Sequence, residues 1–299
     1  MGADPEMTPS PPRRLAPALI LALGVIGIST GSIFARFADA PPLVISFYRT
    51  GIATAAMAPL VLLRCRGELS DLRGGDLLRV LLAGAFLALH FSTWITSLFY
   101  TSIASSVVIV QTIPVWTAIL SPFVSGDRVS GTTWAGILLS FIGVVVIGAG
   151  DFALGGGALL GDLLALLGAW FATGYFLTGR VVRARVSLPV YSFLCYGAAC
   201  LFLLAVIAPL GLPLRGFSGG TWGAFFGMAL VSQIMGHSSY NWTLKYLSAT
   251  VVAVALLGEP IGATLLARLF FGETLTAAKV AGGALILAGI VVAARGERT

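Results

Sequence analysis

The sequence predicts an all-α polytopic membrane protein: ten transmembrane helices arranged as two inverted five-helix repeats. Three observations predict it. Of 299 residues, 58% are hydrophobic and only 10% are charged, with a mean hydropathy of +0.97. Soluble domains need about 25% charged residues for their hydration. At about 20 residues per crossing, the apolar sequence divides into ten segments with short links. Landmarks of the first half also recur in the second at an offset of 146.

The first segment, Leu15–Ala35, follows Arg13-Arg14. A basic pair before apolar residues also fits a signal peptide, but this run reaches Phe34 and nine more follow, so an uncleaved span is expected. Met1 to Glu6 precede a second methionine, Met7, and read as an appended remnant; residues 1–14 then form a cytoplasmic tail. The remaining segments are Leu43–Leu63, Leu78–Leu98, Ile103–Phe123 and Thr132–Ala149, which complete the first half. Leu159–Thr178, Pro189–Pro209, Thr221–Thr243, Ala249–Phe271 and Ala277–Ala294 form the second. The links are rich in Gly, Pro and charge, such as Asp39-Ala40-Pro41-Pro42, Ser125-Gly126-Asp127-Arg128 and Gly155-Gly156-Gly157. None is long enough to fold as a soluble domain, so the activity is expected within the membrane.

Lysine and arginine set the orientation. With a cytoplasmic N-terminus, only Arg36, Arg215, Arg268 and Lys279 lie outside and Arg49 lies within the second span; the rest of the 18 basic residues lie inside. Both termini are therefore expected in the cytoplasm, of a bacterial inner membrane. The net charge of +6 is a topology signal rather than a nucleic-acid footprint, because the basic residues form no patch with aromatic interleaving. Cys65, Cys195 and Cys200 show no metal spacing and read as apolar packing residues. No cofactor is expected.

The repeat divides the chain into residues 15–150 and 159–295. An offset of 146 maps Ser46-Phe47 and Gly51 onto Ser192-Phe193 and Gly197, Pro114 onto Pro260, Gly126-Asp127 onto Gly272-Glu273, and Gly136 and Gly143 onto Gly282 and Gly289. His90 maps onto His237 one residue out of step. Five spans per copy is an odd number, so the second copy enters the membrane from the opposite face. Inverted pairs of this kind build secondary transporters, with the substrate near the midplane between the repeats. A duplicated structural bundle without transport is the competing reading.

The glycine, proline and acid pattern resembles the drug/metabolite transporter superfamily, in its EamA-type ten-helix branch. Gly258-Glu259-Pro260, Phe271-Gly272-Glu273, Gly282 and Gly289 carry the resemblance in the second half; Pro114, Gly126-Asp127, Gly136 and Gly143 carry it in the first. The first half departs in having Ile113 opposite Glu259, and Asp127 where the family usually has glutamate. Within the branch, His90-Phe91-Ser92-Thr93-Trp94 and Val110 to Trp116 look most like bacterial YddG-type exporters. That resemblance implies export of aromatic amino acids, with flat cationic compounds or another small metabolite as the alternative.

The residues themselves suggest where a substrate sits. His90 and Trp94 are one turn apart on the third span. A lining role for His90 competes with simple satisfaction by a neighbouring carbonyl. Gln233, His237 and Tyr240 fall at i, i+4 and i+7 of the eighth span, a polar stripe in an apolar helix, which reads as lining or as interhelical glue. Gln111 lies a turn before Pro114. Trp170 is central in the sixth span, with Tyr175 five residues on near its cytoplasmic half. Aromatic side chains at the midplane, with Trp116 beside them as a candidate, are poorly explained as interface anchors. Trp94, Trp116 and Trp170 with Tyr240 could stack on an aromatic or cationic substrate, or pack as core.

Gly27 and Gly31 form a GxxxG pattern in the first span, expected to pack helices closely. The pairs Gly136/Gly143 and Gly282/Gly289 make smooth faces for packing inside the chain or between two copies, so monomer and homodimer both stay open. Glu259 and Pro260 mark an expensive site. Glu259 is expected to be mainly structural beside a hinge, with proton coupling the alternative. Alternating access is expected to use hinges in spans one, four, six and nine. An intramembrane enzyme ranks below transport: no Gly-x-Ser-x-Gly, His-Glu-x-x-His or P-loop occurs. The expected partners are a small-molecule substrate and the lipid bilayer, with no nucleic acid.

Overall fold

Inside a bilayer no water satisfies backbone N–H and C=O groups, so an apolar chain must satisfy them within itself, and helices do so. The computed structural model describes residues 15–101, 103–148, 158–272 and 275–296, and these are helical with short connections. The tail 1–14, Gly155 to Gly157 and Glu273 lie outside the described residues. In chain order the helices are α1 (Leu15–Ser29), α2 (Gly31–Phe37), α3 (Pro42–Arg64), α4 (Arg66–Ser70), α5 (Gly74–Ser97), α6 (Ile103–Val110), α7 (Ile113–Val124) and α8 (Gly131–Gly148). The second half has α9 (Ala158–Arg183), α10 (Leu188–Leu210), α11 (Gly219–Gly227), a π-helical segment (Met228–His237), α12 (Ser238–Thr243), α13 (Ala249–Leu256), α14 (Glu259–Phe271) and α15 (Ala277–Gly296).

Among the described residues, seven helical runs are long and apolar enough to cross a membrane, including the paired runs Ala16–Phe37 and Ala249–Phe270. Val108–Val124 and Gly131–Ile147 are shorter apolar helices. Several ends are fixed by local chemistry. Ser187, Ser218 and Ser248 cap α10, α11 and α13, each accepting from a backbone N–H three residues on. Gly126 (φ 76°) and Gly272 (φ 68°) follow α7 and α14 in the left-handed region, where a side chain would be strained. Those two glycines are repeat mates.

Three expected features differ in detail. The third span starts at Gly74 rather than Leu78, and the sixth runs on to Arg183 rather than ending at Thr178. The sixth, where a hinge is expected, is one unbroken helix of 26 residues. It contains no proline, and its glycines serve contact instead: Gly168 faces Trp94, Gly174 faces the Phe86 ring and Gly179 faces Tyr191. The eighth is not a regular α-helix, because ten of its residues form π turns. A π turn takes up an extra residue, which matches the one-residue slip between His90 and His237.

The smooth glycine faces pack inside the chain, α8 against α15. A Cβ on Gly136 would lie 2.5 Å from the Gly289 carbonyl oxygen, and one on Gly289 would lie 2.6 Å from that of Gly136. Gly143 and Gly282 stand in the same relation, at 2.5 and 2.6 Å. Ser140 Oγ donates to the Ile286 carbonyl between them. The seam maps onto itself under the offset of 146, as an isologous contact does. The α3–α10 contact behaves alike: Gly51 faces Cys200 Sγ and Gly197 faces Thr54, two pairs of mates. The cysteines are free; Cys195 is fully buried, as expected of a packing residue.

Candidate functional site

Two helix breaks face each other. The fourth span is interrupted at Gln111–Thr112, between α6 and α7, and the ninth at Leu257–Gly258, between α13 and α14. These are equivalent positions in the two copies, and the backbone agrees bond for bond. Thr112 N–H donates to Ile109 O as Gly258 N–H donates to Ala255 O, and Val115 N–H donates to Thr112 O as Ile261 N–H donates to Gly258 O. These are i→i−3 bonds, the tighter pattern of a 3₁₀ turn. Pro114 and Pro260 then sit in the first turn of the following helix, where a missing N–H costs nothing. Irregular backbone at this depth is tolerated where protein or a cavity covers it.

Side chains join the two breaks. Gln111 Nε2 donates to Glu259 Oε2 at 3.4 Å. A third break at Thr30, between α1 and α2, closes over them: Ser29 Oγ donates to the Glu259 carbonyl at 3.3 Å, and Thr30 Oγ1 pairs with Ser232 Oγ at 2.9 Å. Beside this junction Arg49 is buried, its Nε donating to Gln233 Oε1 at 2.6 Å and its guanidinium 4.1 Å above the Phe91 ring centre.

Aromatic rings wall this polar group. His237 contacts Phe91, Tyr175 and Tyr240, with ring centres 5.4, 6.0 and 6.1 Å apart. His90 Nδ1 meets the Gly168 carbonyl at 2.9 Å and its ring stacks parallel on Trp94. Trp116 and Trp170 meet edge to face at 5.4 Å. Among the described residues, five buried polar atoms here find no hydrogen-bond partner: Trp94 Nε1, Gln111 Oε1, Gln233 Nε2, His237 Nδ1 and Tyr240 OH. Each such group costs about 1–3 kcal/mol when left unmet, so their concentration in one region calls for a polar occupant.

A cavity of about 1380 Å³ lies to one side. It is a groove between α1 and the α13–α15 face, with Asp127, Arg128 and Arg180 at one end and Ser29, Gly258 and Gly262 at the other. Leu265 and Leu287, 54% and 56% exposed, help line it, so it opens sideways onto the apolar surface. None of the aromatic and histidine side chains just described lines it. The breaks hold the convergent polar groups; the groove is an apolar approach that ends beside them.

Residues 15–149 and 159–295 match the EamA-like transporter family. The chain belongs to that family. An uncharacterized transporter of Archaeoglobus fulgidus is 26% identical over 276 residues, covering 92% of this chain and 95% of its own. The uncharacterized transporter YyaM of Bacillus subtilis is 24% identical, covering 82% of each chain. A crystal structure superposes with a TM-score of 0.79 at 20% identity, over 95% of this chain and 99% of that one, and shares the fold.

Within this EamA-type fold the candidate residues gather in subsets. Gln111 and Glu259 meet, Tyr175, His237 and Tyr240 cluster, and Gln233 turns to Arg49. The three tryptophans do not stack together with Tyr240: Trp94 lies on His90, Trp116 on Trp170, and Tyr240 packs against Phe176 and Gly24. Trp170 is 46% exposed, so it edges the site. The Tyr175 hydroxyl is committed, donating to Asn241 Oδ1 at 2.6 Å, while Asn241 Nδ2 donates to Tyr196 OH at 3.1 Å. Gly27 lies against Gly236, as close packing requires, and Gly31 lies next to Ser232 and Arg49. Sequence reasoning placed no binding role on Arg49, Phe91 or Asn241. A charge inside the second span was the signal for Arg49; Phe91 and Asn241 differ in no pattern from their neighbours.

Proposed function

We propose that this EamA-type transporter is a secondary exporter of aromatic amino acids and related flat amphipathic metabolites. The observation that carries the reading is the meeting of two mated helix breaks among buried polar atoms that lack partners, walled by histidine and aromatic rings. Broken helices at the interface of two repeats are where secondary transporters bind substrate. Rings supply apolar area and geometry for a flat side chain, and the unmet donors and acceptors supply polarity for its charged end.

In this reading ten spans form two inverted copies with both termini in the cytoplasm of a bacterial inner membrane. The self-mapping α8–α15 seam and the bond-for-bond match of the breaks support a pseudo-twofold relation between the copies. Substrate reaches the breaks from the cytoplasmic side, the halves rock, and the site opens outward. A second reading, export of flat cations, is favoured by the half-exposed Trp170 face beside Trp116 and by the acid at the breaks.

Flux of labelled tryptophan in liposomes holding only this protein tests the proposal, with and without a pH gradient. Saturable flux that phenylalanine inhibits is expected. No aromatic flux from folded protein, with flux of flat cations instead, moves the assignment to the second reading.

A further inference from the structure

The cluster holds one buried cation and one acid that do not touch. The ion pairs of the described residues bind Asp76 and Asp127, and Arg49 and Glu259 form none with each other. Intramembrane charges are expensive and usually pair directly. Here the α1–α2 break lies beside both residues. Ser29 bonds the Glu259 backbone, and Gly31, two residues on, faces Arg49; a Cβ there would lie 3.9 Å from Nη1. Two residues span at most about 7 Å, so Arg49 and the Glu259 backbone both lie against the single-residue turn at Thr30.

Each charge is half satisfied. Of the guanidinium donors, Nε is taken by Gln233 and one face by Phe91, while the Nη fork has no acceptor among the described residues. That planar fork suits a carboxylate. Glu259 accepts one long bond from Gln111 on a single oxygen, and Gln111 Oε1 beside it is an unmet acceptor. Two acceptors close together suit an ammonium group.

We propose that Arg49 and Glu259 form a divided clamp for a zwitterionic α-amino acid, Arg49 taking the carboxylate and Glu259 with Gln111 taking the ammonium. The inference rests on the breaks being the transport site, and it adds a substrate class defined by its two opposite charges rather than by its side chain. A ligand carrying one charge meets its partner and also a like charge. A simple cation is then disfavoured by Arg49 and a simple acid by Glu259. Gln233 holds the arginine in place, so it is a positioning residue.

The test is inhibition of flux, and ligand-induced thermal stabilisation, with two matched series. One is tryptophan, tryptamine and indole-3-propionate; the other is leucine, isoamylamine and 4-methylpentanoate. The zwitterion of a series is expected to bind about 10- to 100-fold better than either singly charged analogue, the range for a lost charge-assisted hydrogen bond. Arg49→Gln should lose discrimination against the amine, and Glu259→Gln against the acid; Arg49→Lys, which keeps the charge, should lose less. The series on the unaltered protein need no variant to fold. Binding of leucine but not tryptophan would sustain the clamp and sink the aromatic reading. Equal binding of zwitterion and singly charged analogues, or no response to any amino acid, would overturn the clamp.

Discussion

At the scale of single residues, the buried polar groups divide into those with every bond made and those without. Asn241 belongs to the first kind. Its amide joins Tyr175 OH and Tyr196 OH, Tyr196 OH pairs with Ser238 Oγ, and Arg183 Nε donates to the Asn241 carbonyl. Asn241→Ala strands the buried Tyr175 hydroxyl and leaves that of Tyr196 with Ser238 alone, so a loss of about 1–3 kcal/mol in stability is expected. Thermal unfolding in detergent measures it. His237→Phe is the contrasting case: Nδ1 has no partner to lose and the ring contacts remain. Stability should change little while substrate binding weakens, and the two assays on one preparation separate the roles. Residues whose presence in lipid is costly were legible in the sequence, His90, His237 and Glu259 among them, because hydrophobic context makes a polar residue conspicuous. How they pair was not legible. His90 spends its Nδ1 on the Gly168 carbonyl, the blander of its two readings, and only the fold decides that.

At the scale of helices, most spans could be read closely; α3 and α10 end within a residue of their expected limits. Pro114 and Pro260 announced the paired breaks, since proline removes a donor wherever it falls. The π segment left no such mark. It arises from an inserted residue that neighbouring helices accommodate, and composition is blind to that. The glycine seam between α8 and α15 makes a sharp prediction. Gly143→Ala drives its Cβ against the Gly282 carbonyl and Gly289→Ala against that of Gly136, in backbone contacts that cannot swing aside. Each should cost about 1–3 kcal/mol by overpacking, and the two costs should be alike because the contacts are mates. Melting temperatures of the two variants check it; a large loss in only one would mean that the seam is not symmetric in solution.

At the scale of the whole molecule, the ion pairs between the halves, among the described residues, lie on the side of the termini. Arg180 of α9 grips both oxygens of Asp127 at 3.1 and 3.2 Å and also donates to the Leu244 carbonyl at 2.8 Å. Arg185 reaches Asp76, and the Ser187 N–H donates to Glu68. Beneath the Arg180 link Ser121 Oγ and Thr250 Oγ1 meet at 3.1 Å, and Thr250 is buried. In an alternating cycle these links must break for the termini side to open, so they weight the closed state. An ion pair this exposed contributes about 0.2–1 kcal/mol, which amounts to a shift of roughly fivefold at most in the open population. Arg180→Ala should therefore raise the labelling of a Thr250→Cys probe by an impermeant maleimide applied from the side of the termini, with Cys65, Cys195 and Cys200 replaced. Asp127→Ala should do the same, and the double variant should add little, because both remove one link. Unchanged labelling in both variants would show that closure rests on helix packing alone, and additive effects would show that the two side chains act on different contacts.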